Sequence, residues 1–329
     1  MPLPPLPEAL ANNAVAAVET DKGTYLVSFS GLAAGKTWRD TRATTYVLAP
    51  EASQWERGED VPGDTGRLAS VAVAVGDAAY VFGGYTVAED HSEVSLPYVH
   101  QFDPRTRRFS PRVPMPVPVD DAVAVAYQDR YIYLISGWHD TANVNLVQRY
   151  DTLEDRWVQA TAYPGAPVFG HAGGIVNGTL VICGGVAIDT KQSGPREFVA
   201  NTACYAGTLR ADNARRIDWR AIAPMPGPAR YRMAAAGSAE LGGVVFMGGG
   251  DNPYNYDGIG YNGEPSNPVG EVYYYDLEQD RWRALGRQRV PSMDHRGLLG
   301  VNGGFVVVGG MDGEQQVTGS VRRYLISAQ

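Results

Sequence analysis

The sequence is poor in three features that define other protein classes: cysteine, long apolar runs and basic charge. Its two cysteines, Cys183 and Cys204, are too few for a disulfide framework or a cysteine-based zinc site, and we expect Cys183 to pack as a small hydrophobic residue. No apolar run approaches the roughly 20 residues that cross a bilayer. The net charge of −8 is opposite to what a phosphate-binding surface requires. We therefore expect a soluble protein that binds neither membranes nor nucleic acids.

The N-terminus also lacks the features of a secretory signal. Residues 1–6 are rich in proline and contain no basic segment followed by an apolar one. We expect a cytoplasmic location for the chain as written, and a periplasmic or secreted one if a signal peptide has been removed.

Glycine, proline and aromatic residues are abundant and recur in a pattern. The chain has 39 glycines and 22 prolines, and 10% of its residues are aromatic, which favours many short strands joined by turns. Short apolar runs end repeatedly on a glycine pair or a close variant, at residues 80–84, 133–137, 181–185, 245–249 and 306–310, with a weaker example at 25–31.

Each glycine-ended run belongs to a longer unit of four short strands. An apolar run and a tight turn precede it, and a strand ending on an aromatic residue and Asp follows. In three units a Trp or Phe comes six residues after this Asp, at Phe109, Trp157 and Trp282. A single four-stranded sheet cannot bury both faces, so such units must stack around an axis. The sequence therefore predicts an all-β, six-bladed β-propeller that forms one domain over residues 1–329.

This pattern resembles the Kelch repeat over essentially the whole chain. The Kelch features are the glycine pair after the second strand, the Tyr-Asp that ends the third and the Trp six residues later, as in Tyr150, Asp151 and Trp157. The resemblance implies a Kelch-type propeller.

The two ends of the chain predict how the ring closes. The sequence finishes in a strand of the third type, at residues 322–327, without a fourth. Residues 3–10 look like the proline-rich segment that follows the Trp of a blade. We therefore expect residues 2–11 to supply the closing outer strand of the last blade, which would remove an open sheet edge.

The strand order predicts which residues share a site. The long loops between second and third strands lie on one face with the connections between blades, and such loops are the usual location of function. The residues that precede each first strand should ring the channel mouth on this face. They are Asn12, Asn13, Arg67, Asp120, Asp121, Phe169, His171, Arg230, Arg232, Asp294, His295 and Arg296.

Four members of this ring are the candidate catalytic residues: Asp121, His171, Asp294 and His295. A carboxylate facing an imidazole can act as general base and acid. Arg67, Arg232 and Arg296 are candidate anion-binding residues, because guanidinium groups bind carboxylates in pairs of hydrogen bonds. Arg67 and Arg230 match a structural Kelch arginine equally well.

The loops add further candidates for substrate binding. The aromatic residues Trp138, Tyr254 and Tyr256 could stack on a sugar ring or cover it, and His139 and Arg196 lie in neighbouring loops. The leading hypothesis is therefore a small-molecule site for a sugar or anionic sugar, acting by acid/base isomerisation or ring opening, in a monomeric protein without a cofactor.

Three alternatives remain open. The polar groups could bond only to each other and to water in the channel. The loop face could instead bind a protein partner, as non-catalytic Kelch modules do. A divalent Fe, Mn or Zn ion could bind His139, His171 and His295 with Asp121 or Asp294, although no local ligand motif is present.

Among compact six-bladed Kelch proteins, the chain is most similar to bacterial N-acetylneuraminate epimerases (sialic acid mutarotases). The similarity lies in chain length, blade order, the N-terminal segment and a first blade with a small-residue loop at residues 31–38. That family places an acidic residue directly after the strand glycine of blade four, whereas Gly185 is followed by Val186 here. The resemblance therefore implies a sugar-type site and isomerase chemistry without specifying that sugar.

Overall fold

The computed structural model describes residues 3–189 and 197–325 and confirms the six-bladed all-β propeller. In the described residues, five blades are four-stranded antiparallel sheets and the sixth has three strands, each formed by strands in up-and-down order. No helix in these residues is long and apolar enough to cross a membrane.

The strand bounds are as follows. Blade one contains β1 (Ala14–Thr20), β2 (Gly23–Leu32), a 3₁₀ turn (Trp38–Asp40), β3 (Thr41–Leu48) and β4 (Glu56–Arg57). Blade two contains β5 (Val71–Val75), β6 (Ala78–Phe82), the loop ribbon β7 (Tyr85–Val87) and β8 (Glu93–Ser95), then β9 (Val99–Asp103) and β10 (Arg108–Arg112). Blade three contains β11 (Val123–Tyr127), β12 (Tyr131–Ile135), the loop ribbon β13 (Trp138–His139) and β14 (Ala142–Asn143), then β15 (Val147–Asp151) and β16 (Arg156–Gln159).

The second half repeats this arrangement. Blade four contains β17 (Ala172–Val176), β18 (Thr179–Cys183), the loop ribbon β19 (Val186–Ile188) and β20 (Phe198–Ala200), then β21 (Cys204–Arg210) and β22 (Asn213–Ile222). Blade five contains β23 (Ala234–Ser238), β24 (Gly243–Met247), β25 (Glu271–Asp276) and β26 (Arg281–Arg287). Blade six contains β27 (Leu299–Val301), β28 (Gly304–Val308), a 3₁₀ turn (Gly313–Gln315) and β29 (Val321–Leu325).

The repeated aromatic residues hold neighbouring blades together. Phe82 of blade two lies 5.9 Å from Trp157 of blade three between ring centroids, so the aromatic ring fills the space between two sheets. The indole N–H of Trp157 also donates to the carbonyl of Val113, directly after the outer strand of blade two, at 2.9 Å. Trp282 makes the same bond to Ala223 of the preceding blade, at 2.8 Å.

The N-terminal segment closes the ring, but not as the predicted strand. The Trp55 indole donates to the carbonyl of Pro4 at 2.9 Å, so residue 4 occupies the place that follows the outer strand in other blades. The N–H of Leu6 donates to the carbonyl of Gly319 at 2.8 Å. Residues 3–10 are otherwise irregular, and the sixth sheet has three strands in the described residues. The proline-rich sequence explains this, because proline lacks the N–H that a sheet ladder requires.

The two cysteines differ from the prediction. Cys183 on β18 and Cys204 on β21 are direct cross-strand partners, and they form a disulfide with a Cα–Cα distance of 4.3 Å. The expectation of a free, packed Cys183 was therefore wrong. The residue is fully buried as expected, but the register of the sheet places a second cysteine opposite it.

Candidate functional site

Six equivalent backbone positions build the centre of the propeller. Shortly before the first strand of each blade, one residue pairs with the residue that directly follows the strand glycine; the pairs are Ala11 with Leu32, Leu68 with Tyr85, Asp120 with Trp138, Phe169 with Val186, Tyr231 with Gly250 and Met293 with Met311. The next residue has a positive φ in all six blades: Asn12, Ala69, Asp121, Gly170, Arg232 and Asp294. This left-handed turn, unusual for residues other than glycine, brings these six residues to the axis.

Backbone hydrogen bonds join these positions into a belt around the axis. The N–H of Asp121 donates to Ala69, that of Gly170 to Asp121 and that of Arg232 to Gly170, at 3.1, 2.9 and 2.8 Å. The N–H of Asn12 donates to Asp294 at 3.0 Å. The belt fixes the ring of side chains that the sequence predicted, because each backbone is held by its neighbour.

Two arginines and two aspartates form a buried ion cluster inside this belt. Arg232 binds Asp121 through two hydrogen bonds of 2.6 and 3.3 Å and Asp294 through one of 3.2 Å. Arg296 pairs with Asp121 and lies 3.5 Å from Asp294. The Asn12 amide donates to Asp294 at 3.1 Å. The number of guanidinium groups therefore equals the number of carboxyl groups.

The cluster shifts the pKa values of its members in different directions. Burial raises the pKa of Asp121, but Arg232 and Arg296 outweigh it and hold this pKa below its usual value. Burial raises the pKa of Asp294 despite the same two arginines. Asp121 is therefore a fixed anion of the cluster.

A cavity of about 170 Å³ lies on the loop side of the cluster. We call it the loop-face cavity, and its lining residues are Tyr85, Glu93, Asp120, Asp121, Trp138, Phe169, Phe198, Arg232, Asn255 and Tyr261. These residues come from blades two to five, so the ring and the loops converge on one site as the strand order predicted.

Aromatic rings from blades three to five form one side of this cavity. Trp138 lies 5.5 Å from Phe169 and 6.0 Å from Phe198 between centroids. Phe198 stacks on Tyr261 at 4.1 Å with an interplanar angle of 23°. These contacts link the loops of blades three, four and five into a continuous apolar surface.

Two carboxyl groups, Glu93 and Asp120, form the other side. Glu93 accepts a 2.7 Å hydrogen bond from the amide of Asn255, and Asp120 accepts one of 2.6 Å from the hydroxyl of Ser95. Burial raises the pKa of Glu93. Burial, and then the charge of Asp121, raise the pKa of Asp120 well above its usual value. Burial therefore favours the protonated form of both groups.

The two predicted catalytic histidines line a different cavity. His171 and His295 contact a central channel of about 320 Å³. This channel lies on the opposite side of the ion cluster and is lined mainly by small residues of the first strands. His171 Nε2 donates to the carbonyl of Ile135 at 2.9 Å, and its Nδ1 has no hydrogen-bond partner among the described residues. Burial lowers the pKa of His171 to about 4 and that of His295 to about 3, the latter with help from Arg322 and Arg296. Both imidazoles are neutral at pH 7.

The predicted binding residues are distributed over several environments. Trp138 and Arg232 line the loop-face cavity, and Arg296 belongs to the ion cluster beneath it. Arg67 is buried apart from the cluster and donates to the carbonyl of Gly83 at 3.0 Å, which is a structural contact within its own blade. Tyr254 is buried with its ring 5.2 Å from Tyr231.

The remaining three lie at the rim or beyond the described residues. The Tyr256 hydroxyl is 3.1 Å from Nδ1 of His91. His139 is half-exposed, with Nδ1 3.9 Å from a carboxyl oxygen of Asp140. Arg196 lies outside the described residues.

Several cavity residues were absent from the sequence-based site. Glu93, Phe198, Tyr261 and Asn255 lie within long loops, where the repeat gives no alignment between blades. Asp120 was placed in the ring, but Asp121 and not Asp120 was chosen as a candidate catalytic residue. One signal in the sequence could have identified Asp120. It is a charged residue at the position that Leu68, Phe169 and Tyr231 occupy in other blades.

The described residues do not contain a ligand set for the metal ion that the sequence left as an alternative. Across residues 3–189 and 197–325, no three or more His, Cys, Asp or Glu side chains are grouped so that they could hold a metal ion.

Comparison with known proteins supports the repeat assignment. Residues 66–116 match the Kelch motif. The chain is 25% identical over 237 residues to Kelch-like protein 15 of Danio rerio, which covers 72% of this chain and 37% of that protein. It is 26% identical over 267 residues to Kelch domain-containing protein 3 of Bos taurus, which covers 73% of this chain and 64% of that protein.

A solved structure of YjhT shares the fold. Its TM-score is 0.79 at 14% sequence identity, and the alignment covers 99% of this chain and 98% of that one. At this identity the likeness concerns the fold alone. The chain spans only 37% of the length of Kelch-like protein 15.

Proposed function

We propose that the loop-face cavity binds a small sugar and that the protein accelerates ring opening and closing of this sugar, as a mutarotase or epimerase does. The carrying observation is the cavity itself, in which the carboxyl groups of buried Asp120 and half-buried Glu93, both with raised pKa values, face an aromatic surface. Aromatic rings can cover the apolar face of a sugar, while a few polar groups fix its orientation. The similarity to N-acetylneuraminate epimerases noted from the sequence supports the same class.

The chemistry requires one acid and one base. In ring opening, protonated Asp120 donates a proton to the ring oxygen while Glu93 accepts the proton of the anomeric hydroxyl, and the bond between the anomeric carbon and the ring oxygen breaks. Closure on the other face of the carbonyl reverses both transfers and yields the other anomer. Asp121 remains ionised between Arg232 and Arg296 and keeps the pKa of Asp120 high.

Anomer exchange measured by NMR tests this proposal. We would follow glucose and N-acetylneuraminate with wild type, Asp120→Asn and Glu89→Gln. The last is a control because this exposed carboxylate pairs with Arg39 on the surface. General acid catalysis contributes roughly 10²–10⁴-fold, so Asp120→Asn should lose about that factor while the control keeps the wild-type rate. Exchange of both sugars at the buffer rate, or at equal rates in wild type and Asp120→Asn, would refute the proposal.

A protein-binding surface is the second candidate. Four exposed apolar side chains lie on loops of the same face: Val94, Val199, Ile259 and Tyr261. The similarity to Kelch-like proteins agrees with such a role. The two candidates separate because Val94→Lys should leave anomer exchange unchanged, whereas it should weaken a protein complex formed at this surface.

A further inference from the structure

The two sides of the loop-face cavity differ in charge as well as in polarity. Trp138, Phe169, Phe198 and Tyr261 present aromatic rings on one side, and Glu93 and Asp120 present carboxyl groups on the other. Both carboxyl groups have neutral hydrogen-bond partners, the amide of Asn255 and the hydroxyl of Ser95. Neither is therefore balanced by a cation through these bonds.

The arginine at the cavity attracts both carboxyl groups through its charge, but its hydrogen bonds to carboxyl groups go to other residues. Arg232 donates to both carboxylate oxygens of Asp121 and also to Asp294, and it donates to the carbonyl of Asn255 at 2.6 Å. Arg296 is occupied by the same two aspartates. Among the described lining residues, the surplus of acidic groups is therefore Glu93 and Asp120.

We propose that the loop-face cavity selects a small organic cation, and that within the proposed function, on which this inference rests, the preferred substrate is an amino sugar. Aromatic faces attract cations through the ring quadrupole, and ammonium groups are the ligands for which proteins use aromatic surfaces of this kind. Carboxylates on the facing side add charge-assisted hydrogen bonds.

The size of the cavity agrees with a ligand of this class. Its volume of about 170 Å³ corresponds to roughly five or six water molecules at about 30 Å³ each. This is below the roughly 300–1,000 Å³ of pockets for drug-sized ligands. The cavity therefore suits one sugar ring or one tetraalkylammonium head, and excludes an oligosaccharide from its interior.

Proton release provides an independent signature. Burial raises the pKa of Glu93 and of Asp120 above the usual range of carboxyl groups. A bound cation favours the ionised form and lowers both pKa values. Cation binding should therefore release protons, and the measured binding enthalpy should depend on the ionisation enthalpy of the buffer.

Calorimetric titration with matched probes tests the inference. The probes are glucosamine, which is cationic, with glucose and N-acetylglucosamine as neutral counterparts, and tetramethylammonium as a cation without a sugar. Wild type should bind glucosamine at least ~10-fold more tightly than either neutral sugar, equivalent to about 1.4 kcal/mol. Glu93→Gln should remove most of this preference, whereas Glu89→Gln, which changes an exposed carboxylate of the same loop, should preserve it.

The outcomes separate this inference from the proposed function. Equal affinities for glucosamine and glucose, or an unchanged preference in Glu93→Gln, would overturn cation selection while leaving anomer exchange to be judged by its own assay. Tight binding of glucosamine and tetramethylammonium without faster anomer exchange would support cation selection and refute the isomerase. Absence of binding by all four probes would overturn cation selection, whereas the proposed function would be judged by the anomer-exchange assay, which also includes N-acetylneuraminate.

Discussion

Asp120, the proposed acid, destabilises the folded state when its carboxyl group is ionised. The pKa of Asp120 is raised in the folded state because the ionised group is buried next to Asp121. The free energy of unfolding therefore falls as pH rises through this pKa. Asp120→Asn removes that charge and leaves an oxygen to accept the hydrogen bond from Ser95. We expect the variant to be more stable than wild type by roughly 0.5–2 kcal/mol at pH 8.

Urea unfolding at pH 8 and pH 4 measures this effect. The gain should shrink at pH 4, where wild-type Asp120 is protonated in the folded state. Glu89→Gln should show no comparable gain at either pH. A variant less stable than wild type at pH 8 would contradict a raised pKa at Asp120.

His171 and His295 give a second effect at this scale, with the opposite sign. Burial lowers the pKa of His171 to about 4 and that of His295 to about 3, whereas an unfolded histidine titrates near 6.5. Above pH 6.5 both states are neutral and the histidines contribute nothing. As pH falls from 6.5 to 4, the unfolded chain takes up protons and the folded chain does not, so stability is lost.

Histidine substitution isolates this contribution from the carboxyl groups. The difference in unfolding free energy between His171→Gln and wild type should change between pH 7 and pH 4 by an amount on the order of 1.4 kcal/mol per unit of pKa shift. His91→Gln, at an exposed position, is the matched control. A constant difference across this range would show that His171 titrates normally.

The repeat explains which of these residues could be predicted. Aligning the glycine-ended strands places Asp121, Arg232 and Asp294 at one equivalent position, and the structure joins them in one ion cluster. The same alignment could not show that Asp120 and His171, which lie before and after the positive-φ position, contact opposite cavities. The positive φ between these positions reverses the side-chain direction, and most residues that adopt it here are not glycine, so their sequence gives no sign of it.

At the scale of the element, the disulfide of blade four is the clearest departure from the sequence-based prediction. The alignment of β18 with β21 places Cys183 opposite Cys204, across a connection of variable length whose register no repeat motif specifies. The crosslink closes a segment with a sequence separation of 21 residues, for which loop entropy predicts about 3 kcal/mol of stabilisation.

Thiol titration and melting measure this contribution. Unfolded, unreduced protein should show no free thiols. Cys204→Ala should lower the unfolding free energy by about 2–4 kcal/mol without a change in anomer exchange, because blade-four residues Cys183 and Cys204 lie outside the loop-face cavity. The same loss in reduced wild type would assign it to the crosslink, whereas two free thiols in untreated protein would contradict the structure.

At the scale of the whole molecule, this disulfide bears on where the protein matures. Disulfides persist in oxidising compartments and are rare in the cytosol. We therefore propose a periplasmic or secreted location, the second of the two alternatives left by the sequence. Protein isolated from its native cells should contain the Cys183–Cys204 crosslink, and fully reduced cysteines in that material would favour the cytoplasm.

Ring closure is the remaining property of the whole molecule, and it depends on residues 3–11. Leu6 and Leu10 are buried with Val306 and Val308 of blade six and Leu26 of blade one, and the carbonyl of Leu10 accepts a 2.8 Å hydrogen bond from Gly310. The irregular segment can thus join the last blade to the first through side chains and isolated hydrogen bonds, without a complete strand.

Leu6→Ala should lower the unfolding free energy by roughly 2–5 kcal/mol, because truncating a buried leucine leaves a cavity. Leu153→Ala, at a position that is 76% exposed, should change it by less than about 0.5 kcal/mol. Equal melting temperatures for the two variants would show that the N-terminal segment does not stabilise the closed ring.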